Sequence, residues 1–362
     1  MKKVFPNPRY QKVMTLLFLS VVFSSFSQDS LRTAIAEQGD GIYSILRKQG
    51  IDPTKFYKDF IQLNKAWIKD STTLVVGRSY KIPRGVLDSV SVATAKISDA
   101  TITTDSPKKI VKGNAPTVKT SVHPIFGDAY EKVSEKSERL EGAVYYLISG
   151  HGGPDPGAVE KYKGKTIAED EYAYDITLRL ARELLSHGAK VYIIITDSND
   201  GIRDKRILEI DRDERAYPSE KIPLNHTKRL KQRVVAVNKL FRKNIGKYQR
   251  LIVTHIDSRS KGQNIDVFFY HHEKSKNGKR LAESIHTTFQ KKYKKYQPNR
   301  KYSGTFSDRS SLYLVKNTLP AMVYIEIGNI KNPKDQRRIL DPDNRQALAK
   351  WISEGVLTDF EK

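Results

Sequence analysis

The 362-residue chain contains no cysteine. That absence excludes disulfides, thiolate nucleophiles and any zinc site held by cysteine sulfur. Acidic residues are scarce relative to basic ones, 41 against 64, which leaves a formal charge of +23. Such an excess favours polyanionic surroundings, whether nucleic acid, anionic lipid or an acidic envelope polymer, and does not choose among them. Long apolar runs are also missing. The longest, Val13-Met14-Thr15-Leu16-Leu17-Phe18-Leu19-Ser20-Val21-Val22-Phe23, falls short of the roughly 20 residues that a membrane span needs.

That run has a different meaning. Lys2, Lys3, Arg9 and Lys12 precede it, and Ser25-Phe26-Ser27 follows with small residues at the two positions a signal peptidase reads. The pattern predicts a cleaved signal peptide over residues 1–27, an exported protein with no stable membrane insertion after cleavage, and no lipid-modified amino terminus. Export makes a nucleic-acid partner unexpected.

Residues 32–84 read as a small unit of their own. Ile35, Ile42, Ile45 and Leu46 surround a turn at Gln38-Gly39-Asp40-Gly41, and Phe56, Phe60 and Leu63 lie at helical spacing before Asn64. A turn and strand then close the unit at Gly77-Arg78-Ser79-Tyr80-Lys81-Ile82-Pro83. Strand, helix, helix, strand in this order, with Gly39-Asp40, Leu63-Asn64 and the closing Lys81-Ile82-Pro83, resembles a LysM module. That resemblance implies binding of N-acetylglucosamine-containing chains such as peptidoglycan. Residues 85–140 form a linker and entry segment. Ser, Thr, Lys, Asp and Val dominate up to about Val122, a linker composition, and a short charged helix is expected between His123 and Leu140.

From residue 141 to 358 strands and helices alternate. Buried strands are predicted at 144–149, 191–195, 251–254, 265–270, 312–315 and 322–327. Amphipathic stripes predict helices around Tyr174, Leu178, Ala181 and Leu185, around Leu230, Val234, Val237 and Phe241, around Leu281, Ile285 and Phe289, and over 343–357. This is an α/β pattern, a mostly parallel sheet with helices on both faces, behind the small βααβ unit. The stretch from Asp197 to Asn225 is a charged, turn-rich insertion at a strand's carboxyl end, read as either a wall of the site or an inert loop.

Chemistry collects at the carboxyl edge of such a sheet. The first strand ends in Gly150-His151-Gly152-Gly153-Pro154, the third delivers His255, and the last delivers Glu326. Glu169, Asp170 and Glu171 start the first helix, whose amino end lies at the same edge. Two histidines and one carboxylate can hold one zinc ion with a coordination position left open for water, and a further glutamate can move protons. The residues alone leave Glu169, Asp170 and Glu171 all open for the carboxylate position. His271-His272 and His286 read as surface or packing residues.

The order of these motifs resembles the zinc-dependent N-acetylmuramoyl-L-alanine amidases of the Amidase_3 type. The matching residues are Ser149-Gly150-His151-Gly152-Gly153-Pro154-Asp155-Pro156-Gly157-Ala158, Glu169, Leu230-Lys231-Gln232-Arg233 with Ala236-Val237-Asn238, Thr254-His255, 320–330, and Asn332-Pro333-Lys334-Asp335. The resemblance implies that His151, Glu169 and His255 bind Zn2+, with Glu171 the rival to Glu169 because the 160–168 insertion blurs the spacing, and that Glu326 is the catalytic glutamate. It also implies that peptidoglycan is the substrate, and that the protein is periplasmic or cell-wall associated. Where the family has Asp-Pro-Gly before the first histidine this chain has Ile148-Ser149-Gly150, and Ile256-Asp257 replaces the usual Ala-Asn after the second. A non-catalytic wall-binding protein and a zinc peptidase acting on the stem peptide are the alternative readings.

Overall fold

The computed structural model describes residues 32–36, 42–51, 53–68, 74–83, 119–259 and 262–362. The expected leader at 1–27, the Gly39-Asp40 turn and the linker up to residue 118 lie outside them. The chain divides into two units, residues 1–99 and 100–362. In the first, strands β1 (Thr33–Ile35) and β2 (Ser79–Lys81) pair antiparallel, and helices α1 (Ile42–Lys48) and α2 (Pro53–Leu63) lie between them in sequence. Ile42, Ile45, Leu46, Phe60, Tyr80 and Ile82 form its core. Buried Asn64 ties the end of α2 to β2: its Nδ2 donates to the carbonyls of Phe60 and Lys81, and its Oδ1 accepts from the Lys81 N–H, each at 2.8 Å. A buried amide with its groups paired in this way contributes stability rather than a desolvation penalty.

The second unit opens with a hairpin, β3 (Thr120–Val122) and β4 (Lys132–Ser134), around a short 3-10 turn at Pro124–Phe126. The expected charged helix between His123 and Leu140 is therefore corrected. Pro124 confines helical geometry to that single turn, and Lys132–Ser134 finds a strand partner in Thr120–Val122 instead. Then come β5 (Ala143–Ser149), a hairpin of β6 (Val159–Tyr162) and β7 (Lys165–Ala168), and α3 (Glu169–Ser186). After these follow β8 (Lys190–Ile193), three short strands β9 (Ile195–Thr196), β10 (Arg215–Ala216) and β11 (Glu220–Lys221), and α4 (His226–Lys243). The chain continues through β12 (Tyr248–Asp257), β13 (Phe268–His271), α5 (Lys276–Tyr296) and β14 (Thr305–Asp308). It ends with α6 (Tyr313–Asn317), β15 (Ala321–Asn329), α7 (Pro333–Leu340) and α8 (Pro342–Phe360).

One six-stranded sheet organises the unit, in the order β14-β13-β15-β12-β5-β8. Every neighbouring pair is parallel except β13 with β15. The expected α/β architecture, mostly parallel with both faces covered, is what the chain adopts. β5 shows why its residues are apolar throughout. Tyr145 and Leu147 pack with α3, α5 and α8 on one face. Val144, Tyr146 and Ile148 pack with α4 and α6 on the other. A strand covered on both sides has no solvent face to require alternation.

Three strands are placed differently from expectation, the first being 191–195, which breaks at Ile194 into β8 of the main sheet and β9 of a separate one. Leu312–Val315 is not a strand: Leu312 caps α6, and Leu314 and Val315 bury their side chains from a helical turn. Periodicity cannot separate the two states in so short an apolar run. The fourth strand starts at Phe268 rather than Ile265, because Asp266 adopts a left-handed conformation with φ 53°. The buried Asp266 carboxylate receives Arg300 and Arg338, which holds the backbone out of the ladder. Helix α7 was not expected, although its signals are present. Asn332 accepts from the backbone N–H groups of Lys334 and Asp335, and Pro333 occupies the first turn.

The underside of α3 is locked by an ion-pair hub. Asp175 Oδ2 accepts from Arg179 Nε at 2.7 Å and Arg345 Nε at 2.6 Å, and Oδ1 from the Arg203 N–H at 2.8 Å. Arg345 spends its other donors on the carbonyls of Ile339, Leu340, Arg203 and Lys205. Both Asp175 and Arg345 are wholly buried. Burial pushes the Asp175 carboxyl up, but the guanidiniums of Arg345 and Arg179 outweigh it and hold it below its ordinary value of 3.8. Because the folded-state value is depressed, this contribution is present above 3.8 and lost as pH falls below it. Asp175→Asn strands a buried guanidinium and is expected to cost about 3–5 kcal/mol in denaturant unfolding at pH 7. The variant should also lose part of the acid dependence of the wild-type midpoint.

Candidate metal centre and active-site cleft

β5, β12 and β15 are adjacent, and their registers bring the predicted residues together. Thr254 lies opposite Ser149, and His255 opposite Glu326. The chain leaves β5 as the Gly150 N–H donates to the Thr254 carbonyl at 2.7 Å, so the next residue, His151, stands beside His255. The two imidazole rings are 4.9 Å apart and nearly perpendicular. Glu169, the first residue of α3, enters from the β6–β7 hairpin and lies between them.

The Glu169 carboxylate is shared four ways. Oε1 accepts from the Ile256 N–H at 3.0 Å and stands 2.9 Å from His255 Nδ1. Oε2 accepts from the Ala158 N–H at 3.0 Å and stands 3.3 Å from His151 Nε2. Burial alone would raise this carboxyl, but the two histidines outweigh it and hold it well below the usual carboxylate range. Glu171 points elsewhere, towards Arg203 Nη1 at 2.9 Å and the Asp211 N–H at 3.1 Å. Between the two competing carboxylates, the structure brings Glu169 to the histidines and takes Glu171 away.

Donor atoms of His151, Glu169 and His255 all lie within 4.8 Å of one another. Zinc with bonds of about 2.0–2.1 Å in a tetrahedron sets its ligand atoms about 3.3 Å apart. The 2.9 and 3.3 Å separations between histidine nitrogens and Glu169 oxygens match that spacing. Two imidazoles and one carboxylate are also the donor set of catalytic zinc sites. The residues fit a zinc ion.

Steric detail explains the glycines. A Cβ on Gly150 would meet the His255 ring at 2.3 Å. One on Gly157, where φ is 67°, would meet Glu169 Oε2 and the His151 ring at 2.7 Å. His151 itself adopts φ 64°, a costly conformation for a residue with a side chain. Arg233 Nη2 donates to its carbonyl at 2.5 Å and holds that conformation.

Four residues given no role from sequence complete the site. Asp155 Oδ2 lies 3.0 Å from His151 Nδ1 and receives Arg229 Nη2 at 2.7 Å. Burial works against protonation of His151, yet the hydrogen bonds to Asp155 and Glu169 raise it to about 10. Tyr324 stacks on His255, centroids 4.6 Å apart and planes 13° from parallel. Because strand residues alternate, Tyr324 shares a face with Glu326. Arg229 and Arg233, one turn apart on α4, supply the remaining support. The signals for Asp155 were its place four residues after His151 and its position in the Ser149–Ala158 motif, neither of which gave it a role. For α4 the signal was the motif Leu230-Lys231-Gln232-Arg233, which gave Arg233 no role and did not include Arg229.

Glu326 faces the same cleft, of about 410 Å³, which is lined also by His226, Leu312, Tyr313 and Ser258. Its Oε2 is enclosed without a hydrogen-bond partner. Burial first, then the carboxylates of Glu169 and Asp257, push its pKa well above the ordinary value of 4.5. Asp257 is paired with Arg259, so the charge at this departure from the family pattern is balanced locally. The 197–225 insertion contributes no lining residue to this cleft. It buttresses the histidine turn from behind: Glu214 Oε2 accepts from the Gly153 N–H at 2.6 Å, and Ile222 packs against Gly153. His271 and His286 are buried, with His286 Nε2 against the Gly304 carbonyl and beside Phe306, so both are packing residues.

Residues 146–358 match the model of a family described as N-acetylmuramoyl-L-alanine amidase. Among curated proteins the chain is 26% identical over 231 residues to a probable cell wall amidase, LytH, of Staphylococcus aureus, covering 63% of this chain and 62% of that protein. The chain thus spans less than two thirds of the length of the curated relatives it matches. Among solved structures, the N-acetylmuramoyl-L-alanine amidase AmiC2 of Nostoc punctiforme is 18% identical, with a TM-score of 0.43 over 62% of this chain and 99% of that one. The CwlD amidase of Clostridioides difficile, in complex with the GerS lipoprotein, is 20% identical, with a TM-score of 0.45 over 60% and 98%.

If Asp155 orients His151, Asp155→Asn should weaken zinc binding about 10- to 100-fold while the protein stays folded. Competition with a chromogenic chelator and far-ultraviolet circular dichroism check the two halves of that expectation.

Proposed function

Since this chain belongs to the N-acetylmuramoyl-L-alanine amidase family, we propose that it hydrolyses the amide between the N-acetylmuramoyl group and the L-alanine of the peptidoglycan stem peptide. The carrying observation is the meeting of His151, Glu169 and His255 around one point, with the Glu326 carboxyl presented to the same cleft from the neighbouring strand. In this reading the first three residues hold zinc. When bound, zinc supplies Lewis acidity towards water and an amide carbonyl. His151 is kept in place by Asp155 and Arg233, and His255 by Tyr324 and the rigid strand β12. Such fixed orientation lowers the cost of assembling a reactive geometry.

Glu326 is the proton carrier. Its enclosed, unpartnered oxygen and its raised pKa suit a carboxyl that takes a proton from the attacking water and returns it to the departing alanine amine. Water O–H and amide C–N bonds break, a carboxylic acid forms on the lactyl group, and the stem peptide leaves with a free amine. The cleft is bounded by both apolar and charged residues, Leu312 and Leu314 beside Arg229 and Arg233.

The same proposal extends to the rest of the chain. Residues 1–27 direct export, 32–84 hold the enzyme on glycan as a LysM-like module, 85–140 tether it, and 141–358 carry the chemistry at the periplasmic or cell-wall surface. Tethering raises the local concentration of scissile bonds. No helix among the described residues is long and apolar enough to cross a membrane.

Glu326→Gln should retain zinc and the fold yet release no stem peptide from purified peptidoglycan, a loss of at least about 100-fold. Full activity in that variant removes the assignment. Mass spectrometry of the wild-type digest identifies the bond: an intact stem peptide with a free L-alanine amine supports the amidase reading. Fragments cut within the peptide identify a peptidase, and no fragment at all in zinc-loaded protein identifies a wall-binding protein.

A further inference from the structure

A second group of metal-binding type sits behind the histidine turn. Asp170 and Glu171, from the first turn of α3, and Glu214, from the 197–225 insertion, present carboxylate oxygens within 4.8 Å of one another. All three are buried, at 1%, 3% and 5% exposure. Their compensation is incomplete. Arg203 reaches Glu171 at 2.9 Å, and single backbone N–H groups serve Glu171 Oε1, Glu214 Oε2 and Asp170 Oδ1. Asp170 Oδ2 is fully enclosed and has no hydrogen-bond partner. A carboxylate oxygen withdrawn from water with nothing to replace it is costly, and here it belongs to the group that already concentrates negative charge.

The donors are all oxygen, with no imidazole among them. That set matches hard divalent cations, calcium foremost, and contrasts with the nitrogen-bearing group at His151 and His255. We propose that Asp170, Glu171 and Glu214 bind a calcium-type cation at a site separate from the zinc centre. Such an ion clamps the insertion onto the start of α3. Through Glu214 and the Gly153 N–H it braces the turn that carries His151, and through Asp170 it braces the helix start that carries Glu169. The insertion then has a purpose that neither a wall nor an idle loop supplies.

The test uses the full chain stripped of metal and probed with calcium by calorimetry and with terbium by luminescence. Wild type should bind one calcium with a dissociation constant below about 1 mM. Its melting temperature should rise by about 5 °C at a hundredfold excess over that constant. Asp170→Asn and Glu214→Gln should each weaken binding at least about tenfold. Asp213→Asn, in the neighbouring Asp197–Asp211–Asp213 group, should leave binding within about twofold, because its carboxylate is not one of the three donors. Magnesium should compete poorly, since it tolerates a crowded carboxylate cage less well. Absence of calcium binding and of stabilisation in the wild type overturns the proposal. So does wild-type affinity in Asp170→Asn, or an equal loss in Asp213→Asn. The calcium measurements require neither zinc nor peptidoglycan, so their outcome is independent of the amidase assignment.

Discussion

The carboxylate of Glu169 is the point at which the second unit is tied together. It receives two backbone N–H groups, from Ala158 and Ile256, and faces two imidazoles, from His151 and His255. These four partners come from three separate pieces of chain: the turn after β5, the segment entering β6, and the end of β12. A buried carboxylate costs least when its lone pairs are occupied, and here each oxygen of Glu169 meets one backbone N–H and one imidazole. Satisfying that requirement sets the position of the helix start relative to two strand ends, and so the spacing of three donors that could hold a metal ion.

The surroundings follow from that requirement. Gly150 and Gly157 are glycines because the His255 and His151 rings and the Glu169 carboxylate fill the volume a side chain would take. The left-handed backbone at His151 persists because Arg233 and Asp155 hold its two ends. Further down α3, the Asp175 hub fixes the helix to the start of α8 and to the insertion. The helix that carries Glu169 is thus held along its length. A site built on rigid elements keeps its donors in place before any ligand arrives.

Charge is arranged unevenly around this frame. The chain as a whole is strongly basic, yet the region behind the histidine turn gathers Asp170, Glu171, Glu214, Asp197, Asp211 and Asp213 into two neighbouring acidic groups. Burial together with mutual repulsion raises Asp170 to about 8 and Glu214 to about 7. The overall excess of lysine and arginine does not reach into this interior, where Arg203 is the guanidinium that meets a member of the first group. Net charge describes the surface a protein offers to its surroundings, and says little about fields a few ångströms from a buried side chain.

Residue order alone determined the α/β alternation, the buried character of β5, and the presence of His151, His255, Glu326 and a carboxylate at one sheet edge. These are local properties: apolar runs, helical stripes, and glycines next to a histidine. Tertiary structure decided the rest. Spacing could not separate Glu169 from Glu171, because residues two apart in a helix's first turn point in different directions and only the docked helix shows which way. Arg229, Arg233 and Tyr324 act through contacts between separate elements, which no sequence distance encodes, and Asp155 acquires its role only where the turn folds back on His151. Leu312–Val315 was apolar enough for a strand and became a helical turn, since packing against the sheet settles a run too short for its period to be read. The insertion at 197–225 read as either a wall of the site or an inert loop, and only the fold brings its Glu214 beside Asp170 and Glu171 of α3.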